Sequence, residues 1–546
     1  MKNLIIDLVH NILKNLNYPE VDFQVEYTKE KRFGDFSCNV SLILSKQLKQ
    51  NPKELAEIIL SELKFKNDFF QKIEIAGSGF INFFIKGDYY RTEALNILKE
   101  SENYGKSDIN SDQTANLEWV SANPTGLLHA GHGRQVCLGK AIANLLEWTG
   151  YKVTREYYYN DAGNQMKKLA ESVRARYIQK TGKPDYPFPE DGYHSDTVIE
   201  IADNIINKYS KSEIYIDDLN FFQKVGEEFN FEKIKQSLEK LGILHDIFFS
   251  ETSLYESGEI EELLRIFKER NLCYEKDGAV WLKMPEKDGI PDDKVIIKST
   301  GEYTYRLPDI AYHINKIKRG FDLIVDIFGS DHKETYKEVL YGVNKSGFEI
   351  DNIKVIIHQM VTFKEGDKSV KMSKRSDKVY YLNDLLEDVG VDATQFFFVM
   401  RSANTHLVFD IALAKEQSDK NPVYYLQYAY ARISGILRNA QEIDIPNKYE
   451  NLKLNLLNSE EEIDLIKNLV RFPEEVKICS ATFEPHKLIT YLNSLAENFH
   501  KFYHNHRVLN SGSDELTFQR LCLCQMTKQV LFNGFSIIGI SAPERM

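Results

Sequence analysis

A strand that leads into a proline- and glycine-containing loop and then into a helix constrains this sequence more than any other feature. Residues 116–120 are predicted to form a short buried strand, the loop 123–126 follows, and apolar residues recur at helical spacing over 129–148. Gly150 ends that pattern, and a second strand-like segment covers 151–159. This strand–loop–helix–strand order is typical of a parallel α/β sheet.

A second set of the same elements lies far downstream. Segments 322–328 and 354–359 are strand-like, and they flank a helical pattern over 332–344. We therefore predict a doubly wound, Rossmann-like parallel sheet in a catalytic domain spanning 109–385. A helical insertion at about 160–300 is predicted to separate its two halves.

The beginning of the chain predicts a separate α+β domain over 1–108. Two helix-like stretches cover 42–48 and 52–63, and Pro52 suits the first position of the second helix. The segment 72–85 alternates polar and apolar residues, breaks at two glycines and then alternates again, which is typical of a β-hairpin.

Strand signals fade after about residue 385, so an all-α helical bundle is predicted over 386–546. Ser459 and Glu462 have the spacing of a capping box at the start of one of its helices. The helical segments are 421–439, 459–479, 484–505 and 514–536.

Composition excludes several classes of protein. The 546 residues carry a net charge of -12, which argues against a uniformly basic nucleic-acid-coating protein but permits local basic faces. No apolar run approaches the ~18 residues of a membrane helix, and the first residues read as an amphipathic helix, not a signal peptide. The six cysteines are scattered, so neither a zinc site nor a disulfide framework is predicted. We expect a cytoplasmic protein with no membrane partner.

The loop 124–134 lies where a strand ends and a helix begins, a place where free backbone N–H groups favour an anion. Two of its glycines have the spacing of a Walker P-loop, but His132 and Gly133 replace the residues that motif requires, so a P-loop is rejected. His129 lies three residues before His132, so both imidazoles can face one phosphate and stabilise its charge. The ATP-binding residues predicted here are Pro124, Thr125, Gly126, Gly131 and Gly133.

Two other interpretations of the histidine pair stay open. The pair could be half of a metal site, although no third ligand lies nearby in the sequence. It could also serve only as a helix cap. The glycines and the strand-to-helix position favour the phosphate-binding interpretation.

A lysine-rich loop follows the strand 354–359. A solvated surface loop is the ordinary interpretation of such a charged run. Because a phosphate-binding loop lies upstream, Lys371 and Lys374 are instead predicted to neutralise the leaving pyrophosphate, and Met372 and Ser373 to contact ATP.

Both loops resemble known signatures. Residues 129–132 (His-Ala-Gly-His) and 371–375 (Lys-Met-Ser-Lys-Arg) resemble the HIGH and KMSKS motifs of class I aminoacyl-tRNA synthetases. Ala130 and Arg375 depart from those motifs, whereas both histidines and both lysines are retained.

The resemblance is closer to the arginyl-tRNA synthetases and covers nearly the whole chain. It implies that residues 1–108 contact the elbow of the tRNA and that 386–546 bind the anticodon. The segments that resemble this family are 118–126, 158–165, 191–193, 309–313, 329–332, 421–428 and 541–546.

The substrate implied by this resemblance is arginine, whose planar guanidinium favours a bidentate carboxylate. The resemblance implies arginine-binding roles for Glu118, Asn123, Tyr305 and Asp309, and by a looser match for Gln359. Ordinary alternatives stay open. Glu118 could pair with a structural cation, and Asn123 could hold a turn. Tyr305 could lie in the core, and Asp309 could serve only the helix dipole.

The resemblance also implies a two-step ligase reaction. The arginine carboxylate attacks the α-phosphate of ATP and releases pyrophosphate, and the terminal adenosine of the tRNA then attacks the arginyl-adenylate and releases AMP. Mg²⁺ with the ATP, bound tRNA in the first step and a monomeric enzyme are implied as well, and no metal site made by the protein is predicted.

Three rival functions fit the sequence less well. The carboxylates Glu118 and Asp309 argue against a synthetase for another amino acid, and the helical bundle argues against a nucleotidyltransferase that works without tRNA. The retained histidines and lysines argue against an inactive RNA-binding relative.

Overall fold

The structure is a computed structural model in which the chain packs into two compact units. Unit 1 is Met1–Ser101, Ala440–Val470 and Lys501–Thr527, and unit 2 is Glu102–Asn439, Arg471–His500 and Lys528–Met546. The residues described are 1–28, 30–63, 68–161, 163–210, 214–286, 292–366, 368–370, 380–440 and 452–546. No helix within these ranges is long and apolar enough to span a membrane.

Unit 1 contains the α+β fold predicted for the start of the chain. Its elements there are α1 (Lys2–Asn15), β1 (Val25–Tyr27), β2 (Phe36–Cys38), α2 (Val40–Leu48), α3 (Pro52–Leu63), β3 (Phe70–Ala76), β4 (Phe80–Ile85) and α4 (Gly87–Glu100). The strands pair antiparallel in the order β1-β2-β4-β3, and β3 with β4 is the predicted hairpin. Leu44, Ile59 and Phe83 are fully buried in its core.

Unit 2 contains the predicted parallel sheet. Its elements up to the end of that sheet are β5 (Thr114–Glu118), α5 (Gly133–Trp148), β6 (Lys152–Tyr159), α6 (Asn164–Lys180), α7 (Asp196–Lys208), α8 (Leu219–Lys240), β7 (Ile247–Ser250), α9 (Thr252–Glu256), α10 (Glu259–Glu269), β8 (Cys273–Lys276), β9 (Ala279–Leu282), β10 (Lys294–Ile297), α11 (Arg306–Lys318), β11 (Leu323–Gly329), α12 (Thr335–Lys345) and β12 (Ile353–His358). Five described strands pair in parallel in the order β12-β11-β5-β6-β7. The doubly wound architecture is therefore confirmed, with β5 and β11, one strand from each predicted half, side by side.

The segment predicted as a helical insertion differs from that expectation because it also contains strands. β7 pairs with β6 and extends the main sheet, while β8, β9 and β10 form a small antiparallel sheet. Each of these strands has four residues, too few for hydrophobic periodicity to distinguish them from a loop. Helices α6 to α8 pack around a core that includes Leu169, Ile201 and Phe222.

The rest of the chain is mainly helical. Its elements are β13 (Val361–Glu365), β14 (Lys368–Val370), α13 (Leu382–Val389), α14 (Val391–Val399), β15 (Leu407–Asp410), α15 (Ile411–Lys415), α16 (Pro422–Asn439), α17 (Glu460–Thr482), α18 (Pro485–Asn505) and α19 (Asp514–Ile538). Helices α16 to α19 confirm the four predicted helical segments. The capping box is confirmed as well, since the N–H of Ser459 donates to Glu462 at 2.9 Å and the N–H of Glu462 donates to Ser459 at 3.3 Å. The prediction missed β15, which pairs in parallel with β13.

Candidate active site

The carboxyl ends of the parallel strands bring the candidate residues to one edge of the sheet. β5 ends at Glu118 and continues into the histidine loop, while β7 ends immediately before Glu251. Helix α11 starts with Asp309 in its first turn and precedes β11. This edge is where ligands bind in open α/β sheets.

The two predicted catalytic histidines lie against each other. Ala130–His132 form a 3₁₀ turn directly before α5, and the rings of His129 and His132 stack with their centroids 3.7 Å apart. The backbone N–H of His129 donates to Nδ1 of His132 at 3.2 Å. Because Nδ1 accepts this bond, a neutral His132 ring carries its proton on Nε2 and can donate a hydrogen bond there.

Burial keeps both rings uncharged at neutral pH. It lowers the pKa of His129, and burial with the charges of His129 and His358 lowers the pKa of His132 to about 3. Neutral imidazoles can still donate N–H groups to a phosphate. His358, the last residue of β12, belongs to this environment, although the sequence motifs do not identify it.

The structure also bears on the other interpretations of the pair. The bond from the N–H of His129 to His132 is a capping contact, so the capping interpretation describes part of what the pair does. Among the described residues, no three histidine, cysteine or acidic side chains are arranged to hold a metal ion. The interpretation as half of a metal site therefore has no third ligand in this part of the chain.

The histidine loop is fixed by the segment that follows the lysine-rich loop. The N–H of Ala130 donates to the carbonyl of Tyr380 at 2.9 Å, and the N–H of Leu382 donates to the carbonyl of Leu128 at 2.8 Å. The end of the second loop is thereby attached to the first. The predicted residues Lys371, Met372, Ser373 and Lys374 lie outside the described residues.

The glycines of the histidine loop have different surroundings. A Cβ at Gly126 would meet nothing within 4 Å, so this position leaves room for a ligand. A Cβ at Gly133 would lie 2.4 Å from the ring of Phe398, so glycine is needed there for α5 to pack against α14. Pro124 is buried, and its carbonyl accepts from Asn230 of α8 at 2.8 Å. Packing thus explains the glycine at position 133, and its contact with ATP stays a prediction.

Asp309 and Glu251 form an acidic pair at this edge of the sheet. The hydroxyls of Tyr158 and Tyr255 donate to the buried Glu251 at 2.6 and 3.0 Å. Burial, with the charges of Glu251 and Glu118, raises the pKa of the half-buried Asp309 to about 7. In the described part of the chain no basic side chain forms an ion pair with the carboxylate of Asp309 or Glu251, although His313 and Lys316 lie near enough to favour the charged form of Asp309. The pair is therefore suited to a cationic ligand.

Glu118 belongs to a buried ion network. Its side chain accepts from Nζ of Lys316, which also donates to Asp326 at 2.6 Å, and from the hydroxyl of Ser121 at 2.8 Å. Both Glu118 and Lys316 are almost completely buried. The structure thus gives Glu118 the structural cation considered as an alternative above, and its contact with arginine stays a prediction.

The same network spans three neighbouring strands. One acid from each of β11, β5 and β6 occupies a single row of the sheet: Asp326, Glu118 and Glu156. Two basic side chains of α11 and the residue that caps its C-terminal end face this row: His313, Lys316 and Arg319. Arg319 donates two bonds to Glu156, at 2.7 and 2.8 Å. Because each buried acid has a basic partner, the charges are compensated inside the protein.

The other three residues predicted to bind arginine lie at different places in unit 2. Tyr305 precedes α11 and is 65% exposed, so it is not a core residue. The amide of Asn123 donates to Gln165 at 2.9 Å, which fits the alternative of a residue that holds the loop. Gln359 follows β12, two strands from β5, and its carbonyl accepts from Arg134 at 2.8 Å.

Some functional candidates are missed by sequence reasoning. Glu251 follows a strand of four residues and has no motif around it, so only the order of strands places it near Tyr158. His313 and Lys316 follow Asp309 at helical spacing, which indicates a shared helix face. That spacing cannot show which acids lie opposite.

Comparisons with known proteins agree with this architecture. Family profiles described as "Arginyl tRNA synthetase N terminal domain", "tRNA synthetases class I (R), catalytic domain" and "DALR anticodon binding domain" match residues 3–85, 93–406 and 426–546. The "Arginine--tRNA ligase" of Chlorobaculum parvum is 44% identical over 532 residues, which are 96% of this chain and 96% of that relative.

Two further comparisons cover the full length. The "Arginine--tRNA ligase" of Salinibacter ruber is 42% identical, with 100% of this chain and 100% of that relative covered. The solved structure of the Thermus thermophilus arginyl-tRNA synthetase is 19% identical and supports the fold alone, with 100% of each chain covered and a TM-score of 0.78. With its catalytic-domain match over more than half of its length, the chain belongs to the class I arginyl-tRNA synthetases.

Proposed function

We propose that this chain joins L-arginine to its tRNA in an ATP-dependent reaction that passes through arginyl-adenylate. One observation carries the assignment of the site. A pair of neutral histidines and a pair of acids that form no ion pair with a basic side chain among the described residues lie at the same edge of one parallel sheet. The first pair suits the α-phosphate of ATP, and the second suits a guanidinium.

In the first step, an oxygen of the arginine carboxylate attacks the α-phosphorus, and the bond to the β-phosphate breaks. Nε2–H of His132, with His129 stacked beside it, donates to the α-phosphate as negative charge develops there. Lys371 and Lys374 neutralise the departing pyrophosphate. Pro124, Thr125, Gly126, Gly131, Gly133, Met372 and Ser373 are the proposed contacts to ATP.

Arginine is recognised by its guanidinium. Asp309 and Glu251 supply the negative charge, and the tyrosine hydroxyls on Glu251 fix its orientation. Lysine cannot form the same planar fork of hydrogen bonds, so its ammonium would leave acceptors unpaired. Tyr305, which is exposed beside the start of α11, remains a proposed contact to the amino acid, as do Glu118, Asn123 and Gln359.

In the second step, a ribose hydroxyl of the terminal adenosine attacks the adenylate carbonyl, and AMP leaves. We assign the tRNA elbow to residues 1–108, the catalytic steps to 109–385 and the anticodon to 386–546. Mg²⁺ is proposed to arrive with the phosphates of ATP, and no described residues are assigned to hold it. The proposal includes a monomer that works in the cytoplasm.

The test is exchange of labelled pyrophosphate into ATP, measured with arginine, lysine or citrulline and with or without tRNA. Exchange with arginine alone among the three, and only when tRNA is present, is the expected result. Citrulline keeps the shape of arginine without its charge, so it tests the acidic pair separately from size. Equal exchange with citrulline would contradict the charge-based recognition, and absence of exchange with arginine would contradict the function.

A further inference from the structure

His313 is a buried histidine whose two ring nitrogens both face acceptors. Nδ1 lies 2.7 Å from the backbone carbonyl oxygen of Asp309, and Nε2 lies 3.1 Å from the carboxylate of Asp326. A neutral imidazole has one N–H group and would turn a lone pair towards one of these oxygens. Only the imidazolium form donates to both, so this geometry favours a positive charge on His313.

The surroundings of His313 support that charge. Burial lowers the pKa of its ring, but the hydrogen bond and charge of Asp326 on β11 outweigh burial and raise the pKa above its ordinary value. Lys316 on the same helix opposes this rise, and Glu118 on β5 adds to it. The ring of Tyr312 packs edge-on against His313 at 5.8 Å and carries no charge at neutral pH.

The charge balance of the three acids that lie across β11, β5 and β6 depends on the positive charge of His313. Asp326, Glu118 and Glu156 are three acids, and they are matched by three cations only when His313 is protonated alongside Lys316 and Arg319. A neutral His313 would leave one uncompensated negative charge beside α11, whose first turn the His313 ring also contacts. Asp309 lies in that turn.

Asp309 is the group that this charge affects. It faces Glu251 at the end of β7, Glu118 on β5, and His313 with Lys316 on its own helix. Tyr158 of β6 and Tyr255 of α9 are close enough for Asp309 to influence their pKa values. His313 opposes the rise in the pKa of Asp309 more strongly than Lys316 does. The imidazolium is therefore the main group that favours an ionised Asp309.

We propose that His313 is a positioning residue for arginine recognition. Fixed as an imidazolium between Asp326 and the first turn of α11, it holds the Asp309 carboxyl group in the anionic form that binds a guanidinium. The inference rests on the proposed recognition of arginine by Asp309. It adds to Asp309 a residue that does not touch the substrate. That residue sets the pH range in which arginine binds.

The test is the pH profile of the KM for arginine in His313→Gln, measured by pyrophosphate exchange with tRNA at saturating ATP. Without the imidazolium, the pKa of Asp309 rises further, so the variant needs a higher pH to ionise it. The KM for arginine is expected to increase about five- to tenfold at pH 7, as a shift of roughly one pKa unit would cause, and to approach the wild-type value near pH 9. The KM for ATP and the kcat at saturating arginine should stay within about twofold.

Two control variants separate charge from packing. His245→Gln removes another buried imidazole of unit 2, whose pKa burial lowers to about 3, so no charge is lost and no shift of the profile is expected. In an Asp309→Asn background there is no carboxyl group at position 309 to titrate, so adding His313→Gln should not change the pH dependence of the KM for arginine. An increase in the KM for arginine that is the same at every pH would overturn the role of His313. An equal shift of the pH profile in His245→Gln would overturn it as well. Wild-type exchange that does not depend on arginine would instead refute the proposed function.

A measurement on the wild-type protein guards against a variant that does not fold. Histidine-selective ¹⁵N labelling distinguishes imidazolium from neutral imidazole, and the signal of His313 is the one that disappears in His313→Gln or, failing that, shifts in Asp309→Asn. An imidazolium signal at pH 7 is expected. A neutral ring at pH 7 would overturn the proposal.

Discussion

Histidines in unit 2 have pKa values shifted in opposite directions because their nearest neighbours differ. His129 and His132 are half-buried and stacked on each other; burial lowers the pKa of both rings, and His129 further disfavours a proton on His132. His313 is buried against the carboxylate of Asp326, which favours the proton. Burial is common to both environments, so the neighbouring charge decides the state of each ring.

At this scale we predict that His132→Ala lowers kcat for pyrophosphate exchange by about 10²–10³, the usual cost of removing one donor to a developing negative charge. Because burial and His129 hold the pKa of His132 near 3, the loss should be the same from pH 6 to pH 8. Steady-state exchange in that range provides the measurement. A loss that appears only at the acidic end would mean that His132 acts as an acid and not as a neutral donor.

Glu251→Gln tests the acidic pair. The amide keeps the size of the side chain but removes its charge, so the KM for arginine should rise on the order of 10²-fold, as for one partner of a buried charge pair. Glu256→Gln, an exposed acid on the same short helix α9, is the matched control and should leave the KM unchanged. Equal effects of the two variants would point to general electrostatics and against a specific contact.

Helix α5 shows how one element connects the core to the site. Gly139 lies against Trp119, and a Cβ there would be 2.3 Å from the indole ring. The next residue, Lys140, donates to the carbonyls of Leu241 at 2.6 Å and Gly539 at 3.1 Å, which lie just after the ends of α8 and α19. The helix that begins at the histidine loop is thus fixed along its length by close packing and by a buried cation.

Two glycines in helices of unit 2 should respond in opposite ways to alanine. Gly139→Ala is expected to destabilise the protein by about 1–3 kcal/mol, because the clash with Trp119 outweighs the better helix propensity. Gly435→Ala in α16 meets only the side chain of Arg438, at 3.7 Å, and should stabilise by about 0.5–1 kcal/mol. Thermal unfolding of both variants measures the difference. A stable Gly139→Ala would show that Trp119 moves away freely.

The elements also show where the sequence is informative. Long segments with clear periodicity, such as β6 and α16 to α19, are predicted within a few residues of their observed ends. β7 and β15 are missed because four residues do not establish a period. The strand predicted over 116–120 ends at Glu118, because Val120 has a φ of 73°, a left-handed conformation that a branched residue adopts only under tertiary constraint. Likewise, motifs identify His129 and His132, whereas Glu251 is recognisable only once the sheet order is known.

For the whole molecule, unit 1 brings distant parts of the chain together. Lys467 of α17 lies 2.6 Å from Asp35 near β2, and Asp35 also accepts from the N–H of Ile85 at 2.7 Å. Lys31 lies 2.6 Å from Glu460, but both of these side chains are mostly exposed. Residues more than 400 positions apart in the sequence therefore form contacts that differ in burial.

Lys467→Ala should weaken unit 1 more than Lys31→Ala. Removing the Lys467 ammonium leaves the largely buried Asp35 without its cation. The free energy of local opening around β4 should therefore fall by about 1–2 kcal/mol, and hydrogen exchange of the Ile85 amide should become roughly tenfold faster. The exposed pair of Lys31 should contribute at most about 0.5 kcal/mol. Hydrogen exchange measured by mass spectrometry on peptides covering β4 compares the two variants. Similar exchange rates in the two variants would show that the buried pair stabilises unit 1 no more than the exposed pair does.

The row of acids across β11, β5 and β6 has a consequence for how the chain reaches its fold. These strands are distant in sequence, and a slip of β11 by one residue would turn Asp326 to the opposite face of the sheet and leave Lys316 without one of its partners. Apolar strands alone would tolerate such a slip, whereas an uncompensated buried charge makes it costly. The ion network thus disfavours misaligned pairing of these strands. Only the correct register brings the carboxyl ends of the strands together at the candidate active site.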